Sequence, residues 1–239
     1  MPEHVGPGYA PAMLCPVGEL QSPVDRYLKA LTMPQRLIGL HSGRVGHSGN
    51  ASAIAPAVVL MSISAFEGFV EDATATAMHL QGLSYSYIAN VVGRWTNPDV
   101  EDWGKELKKH FSVDLSQDFE IRTTRGIPSA GWSAAKVQYD AAMKLASSWM
   151  NVRHVLTHGG ASARGAERWP TATRKGEPVS VALRPDKNDP GKHHLDLPGA
   201  RGCAALYTYA ARHGSDLLAA KVGEPALKWD GCPDFDPKR

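Results

Sequence analysis

One apolar line dominates this chain. Ile54, Val58, Met61, Ala65, Phe69, Ala73, Ala77 and Leu80 recur at three- and four-residue spacing, the period of an α-helix rather than of a strand. A stripe sustained over about seven turns needs other helices to cover it. Ser64, Glu67, Glu71 and Thr74 keep the same spacing on another line, so this helix is expected to carry a distinct polar face as well.

A second long helix is predicted from Trp132 to His158, with Trp132, Ala135, Tyr139, Ala142, Ala146 and Trp149 on one stripe and Gly159 and Gly160 as its stop. Ser22 and Pro23 open an earlier, short helix interrupted near Pro34. Ile88, Val91, Val92 and Trp95 mark another, and after Asn97 and Pro98 the run Trp103, Leu107, Phe111 marks a further one. Residues 112–131 read as irregular. Past Gly159 the pattern changes: Val179, Val181 and Leu183 alternate, a turn follows, and Leu195 and Leu197 alternate again, which predicts a small β-hairpin. Pro198 then opens a last helix through Cys203, Leu206, Tyr207, Ala210, Leu217 and Val222. The fold class expected is all-α, a helical bundle with two long central helices and a small β-hairpin insertion before the last helix. The expected divisions are a flexible leader over 1–21, one helical domain over 22–222 with its insertion at 160–197, and a tail over 223–239.

Composition narrows the function classes. With 43% apolar and 21% charged residues, the chain has the balance of a folded domain rather than of a disordered one. Its net charge of +2 provides no global basic field, so any contact with RNA must be local. Cys15, Cys203 and Cys232 are odd in number and far apart, which suggests neither a disulfide framework nor a zinc ribbon. The first twenty residues lack a basic region followed by an apolar run, and no stretch is read as the roughly 18 apolar residues of a membrane span. A cytoplasmic protein without membrane contact is expected.

The segment NVRHVLTHGG, residues 151–160, holds the candidate chemistry. Arg153 and His158 have four residues between them, a spacing that recurs at Arg36 and His41, so spacing alone decides nothing. Context separates the two. Four residues beyond Trp149 the apolar stripe reaches Arg153, placing a guanidinium where a core side chain belongs. A buried charge must be paired or must line a cleft that admits an anion, and Glu67 or Glu71 is the expected partner. Asn151, His154 and His158 fall on an adjacent face, and the helix stops directly after His158. Arg36, by contrast, precedes Leu37 in a helix broken by Pro34. An imidazole titrating near neutrality can take or give a proton, and a guanidinium can stabilise negative charge on a phosphate. On a straight helix Arg153 and His158 point about 140° apart. Either the helix frays at the glycines or a second subunit completes the site.

With these residues in place, the chain resembles the HEPN superfamily, whose hallmark is R-x(4–6)-H near the end of a long helix, commonly with Asn, Asp or His directly after the Arg. His154 occupies that position. The early helix carrying SAFEGFVEDA, the later NVRHVLTHGG, the irregular insertion and the closing helix are similar in order to the RiboL-PSP type of HEPN domain, over most of residues 22–222, with RHxxxH as the specific part. The resemblance implies a homodimer in which two copies of the motif face one another as a composite ribonuclease site. It implies cleavage of RNA through the 2′-OH without metal or other cofactor, leaving a 2′,3′-cyclic phosphate, and a toxin or defence role with an antitoxin or regulatory protein as a further partner. Arg153, His158 and His154 are then the catalytic candidates, with Glu67, Asn151 and Glu71 in support. In HEPN toxins silenced by adenylylation a Tyr stands two residues after the His; Gly160 stands there in this chain.

Arg164, Arg168, Trp169, Arg174 and Lys175 follow the motif and are candidates to hold phosphates and stack a base, or else form a solvated loop. Other readings stand beside the catalytic one. Arg153 can be a structural arginine tied to Glu67, with His158 as a cap favouring the helix dipole. His154 and His158, four apart, can chelate zinc with His193, His194 or Cys203, although neither HExxH nor a fixed third-ligand spacing is present; no metal is expected. The domain can also be a non-catalytic HEPN module that binds RNA, nucleotide or a protein partner.

Overall fold

The apolar line of residues 54–80 becomes helix α2 (Ile54–Leu80), the axis on which other helices are laid. The computed structural model describes residues 19–40, 53–127, 131–158, 183–185, 193–195 and 197–235, with the backbone alone for 122–127, 131–136, 158, 183–185 and 193–194. Helices α1 (Gln21–Leu40) and α6 (Leu197–Val222) pack along α2, and α3 (Tyr85–Val92), α4 (Val100–Phe111) and α5 (Tyr139–His158) complete the helical part. Two antiparallel pairs of strands accompany them: β1 (Glu120–Ile127) with β2 (Gly131–Gln138), and β3 (Leu183–Pro185) with β4 (His193–Leu195). The protein is thus mostly helical, and of the hairpin expected before the last helix Leu183–Pro185 and His193–Leu195 pair as β3 and β4, whereas Leu197 opens α6 instead of continuing a strand and Val179 and Val181 lie outside the described residues.

Because α2 is enclosed by neighbours, it is buried on more than one stripe. Val58, Phe69, Ala73 and Ala77 of the expected line are buried, but so are Val59, Ile63, Phe66 and Val70 beside it, whereas Met61 is 36% exposed. Thr74, expected on a polar face, is fully buried and accepts a hydrogen bond at 3.1 Å from Nε1 of Trp103. By length and composition alone α2 would also pass for a membrane span. In the fold it is the core helix, and Asp72 within it is bonded by Nε of Arg26 on α1 at 2.7 Å.

Three further expectations are corrected. Helix α1 runs unbroken through Pro34, which is buried; packing on α2 holds a helix there although the proline has no N–H to give to the preceding turn. The long helix expected from Trp132 begins only at Tyr139. Residues 131–138 pair instead with 120–127, Gly126 opposite Trp132 and Ile121 opposite Val137. The three- and four-residue spacing of Trp132, Ala135 and Tyr139 imitated a helical period, and the β-branched residues Ile121, Thr123, Thr124 and Ile127 passed for irregular chain. The tail, lastly, is part of the body as far as Phe235, the last described residue. Gln21 clasps the backbone of Lys228, accepting from its N–H at 2.8 Å and donating to its carbonyl at 3.0 Å. Trp229 and Phe235 are buried, and Trp229 meets the rings of Tyr27 and Phe69 at 6.3 Å each.

Helix α4 shows how closely the layers fit. Asp99 caps it, accepting from the N–H of Asp102 at 2.9 Å, and Trp103, Leu107 and Phe111 face inward as their spacing predicts. Trp103 meets Phe66 at 5.9 Å and Phe69 at 6.0 Å. Across from it α6 carries Gly214, where a Cβ would lie 2.5 Å from the indole. Only a glycine lets the α6 backbone approach that ring.

Near the joint of α6 and β1, Phe119 packs on Tyr209 and His213, and the Tyr209 and His213 rings stack at 5.7 Å. Nε2 of His213 is buried without a hydrogen-bond partner among the described residues. Burial lowers the His213 pKa, against the opposing pull of backbone hydrogen bonds with residues 117 and 115 and of Asp216 and Asp118. The unfolded chain therefore takes up this proton first, near the ordinary histidine value of about 6.5, and stability contributed by neutral His213 is lost as pH falls through that value. The thermal midpoint is expected to drop between about pH 7 and about pH 5, and His213→Gln should remove part of that drop. An unchanged pH dependence in the variant would show that His213 is not responsible.

Candidate functional site

Helix α5 delivers Arg153 to the bundle. Ala142, Ala146, Trp149 and Val152 are buried along it, so the core line passes to Val152, and Arg153 stands at its edge with its side chain 15% exposed. From there the guanidinium reaches α2, where Nη2 donates to Oε2 of Glu67 at 3.1 Å, and the loop before α4, where Nη1 donates to Oδ1 of Asn97 at 3.0 Å. These bonds use two of the five N–H donors of a guanidinium. Of the two expected partners, Glu67 and Glu71, it is Glu67 that Arg153 bonds; the second anchor, Asn97, has no counterpart in the sequence reading.

Asn97 has a left-handed backbone, with φ of 53°, a conformation that Asn tolerates better than most residues. The only local signal was the Asn-Pro pair, read as a helix start. Its bond to a residue 56 positions away had no trace in any periodicity.

Glu67 is only 12% exposed, and its Oε1 is buried with no hydrogen-bond partner among the described residues. Burial raises its pKa above the ordinary carboxylate value, Arg153 pulls it down, and nearby Glu71 adds to the rise. Burial likewise raises Glu71, which is half-buried. Burial raises Asp99 too, against its capping bond with Asp102. The guanidinium of Arg153 is therefore paired with a carboxyl, Glu67, whose pKa burial raises and the ion pair lowers.

The other candidates lie elsewhere on the helix. Asn151 and His154 are exposed. Helix α5 stays helical through His158, which ends it, so in one chain His158 lies about 140° around the axis from Arg153 and about 7.5 Å further along it. Asn151, His154 and His158 share an arc of about 60° that excludes Arg153. The fold thus joins Arg153, Glu67 and Asn97, with Glu71 close by, and leaves the histidines on another side. Arg164, Arg168, Trp169, Arg174 and Lys175 lie outside the described residues. Cys203 is buried in the core, and among the described residues no three His, Cys, Asp or Glu side chains gather as a metal site. Compared with known proteins, the chain is matched by no family model, no curated protein and no solved structure.

Proposed function

We propose that this chain is a metal-independent endoribonuclease of the HEPN type, a cytoplasmic toxin or defence effector whose site is completed in a homodimer. The observation that carries this reading is Arg153: a guanidinium held from two sides at the rim of the core, five residues before a histidine that closes the same helix. His158 takes the proton of a ribose 2′-OH, the 2′-oxygen forms a bond to phosphorus, and the bond to the 5′-oxygen breaks with a proton returned to that leaving oxygen. Arg153 balances the charge on the phosphorus centre. His154 stands on the arc of His158 as a second proton carrier, and Asn151 lies beside it. Glu67 holds the guanidinium, and Glu71 lifts the Glu67 pKa. The 140° separation within one straight helix favours a composite site, in which Arg153 of one subunit works with His158 of the other. Arg164, Arg168, Trp169, Arg174 and Lys175 would grip the RNA flanking the scissile bond, and an antitoxin or regulatory protein would silence the enzyme.

A second reading is favoured by the same pairing. An arginine tied to a carboxylate and an amide fits a structural post, and the chain would then be a non-catalytic HEPN module that binds RNA, nucleotide or a protein partner. The two are separated by incubating purified protein with structured RNA in EDTA, beside Arg153→Ala and His158→Ala, and analysing the product ends. Wild-type cleavage that leaves 2′,3′-cyclic phosphates, reduced about a hundredfold or more in both variants, supports the ribonuclease. Absent cleavage, or equal cleavage by all three proteins, supports the module.

A further inference from the structure

Beside Asn97 the loop between α3 and α4 forms a cleft with the outer face of α4. Trp95, Thr96 and Pro98 line one wall and Asp102, Lys105 and Glu106 the other, backed by the buried Trp103. Its volume is about 200 Å³, less than the roughly 300–1,000 Å³ of sites for drug-sized ligands, which suits one planar ring system. Trp95 is half-buried, its body packed on the core.

The charges of the cleft are already matched. Lys105 lies 2.9 Å from Glu101 and 3.5 Å from Asp102, and Glu106 lies 3.2 Å from Lys109 and 3.0 Å from His110. A site with paired charges and an indole wall is poorly suited to a bare phosphate and well suited to a neutral aromatic ring with polar edges. The carboxylates of Asp102 and Glu106 are acceptors for exocyclic amino groups. Thr96 and Pro98 flank Asn97, whose amide holds Arg153, so the cleft adjoins the guanidinium.

We propose that this cleft holds one unpaired nucleobase of the RNA, stacked on Trp95, beside the phosphate that Arg153 engages. The assignment rests on the ribonuclease reading for the identity of the nucleic acid, but it concerns binding and is tested without cleavage. Full-length protein carrying His158→Ala is titrated against a fluorescently labelled single-stranded oligoadenylate of about ten nucleotides, and anisotropy is read. Adding Trp95→Ala is expected to weaken binding about 5- to 150-fold, and Trp95→Phe to restore most of it. Thr96→Trp, at an exposed position on the cleft wall, fills the cleft while leaving Trp95 and Trp103 in place and is expected to weaken binding similarly, which decides the matter if Trp95→Ala does not fold. Oligoadenylate bound equally well by folded Trp95→Ala or Thr96→Trp protein, or not bound by the parent, overturns the cleft. Cleavage by the wild type with those binding results would overturn the cleft alone; Trp95-dependent binding without cleavage would overturn the ribonuclease alone.

Discussion

Replacing Glu67 by Leu is expected to destabilise the protein by about 3 kcal/mol, at the low end of what removing one member of a buried ion pair costs because both side chains keep some exposure. The loss comes from Arg153, left at the rim of the core with Asn97 as its other bonded anchor. The double variant Glu67→Leu with Arg153→Met should return to within about 1 kcal/mol of wild type, since two apolar side chains of similar length avoid the desolvation that the pair incurs. Asn97 is exposed and can turn to water. Denaturant unfolding of the four proteins gives the cycle directly; costs that simply add would show that the pair is not what holds the two helices.

The Arg153→Met single variant adds a pH signature. Without the guanidinium, nothing named above opposes the burial and the Glu71 charge that raise the Glu67 pKa. A carboxyl whose folded pKa exceeds its unfolded value stabilises below the unfolded value and loses that contribution as pH rises through the folded one. The variant should therefore gain on wild type as pH falls toward the carboxylate range. A pair this dispensable for stability would point to a use for Arg153 other than packing, whereas a double variant as weak as Glu67→Leu would favour the structural post.

Trp103→Ala is expected to cost about 3–5 kcal/mol, lowering the thermal midpoint by roughly 6–20 °C for a chain of this size. Trp103 has no exposed surface, packs edge-on against Phe66 and Phe69, and bonds Thr74. The void would not collapse easily. Opposite the indole lies Gly214, with no side chain to swing in, on a helix fixed along α2. The loss reaches the site as well, because Trp103 seats the first turn of α4, and Asn97 hangs from the loop that leads into that turn. A midpoint shift under about 3 °C, corresponding to about 1 kcal/mol, would mean that α4 is held by something other than this side chain.

Wherever one face of an element meets the core and local chemistry marks its ends, the residues alone predicted it. Helices α2, α3, α4 and α6 begin and end close to their predicted limits, and Trp103, Leu107 and Phe111 face inward as their spacing requires. The need of Arg153 for a carboxylate, Glu67 or Glu71, was legible because a charge beside apolar residues is conspicuous and must be compensated, although the core line ends on Val152 and not on Arg153. Tertiary packing decided the remainder. It carried α1 through Pro34, paired 120–127 with 131–138 although the latter imitates a helix, and drew Trp229 and Phe235 into the core from a segment that looks like a tail. Asn97 belongs with these. An exposed amide in a turn becomes an anchor only when a guanidinium from another helix arrives beside it, and such a meeting depends on how helices are stacked, which no local period encodes.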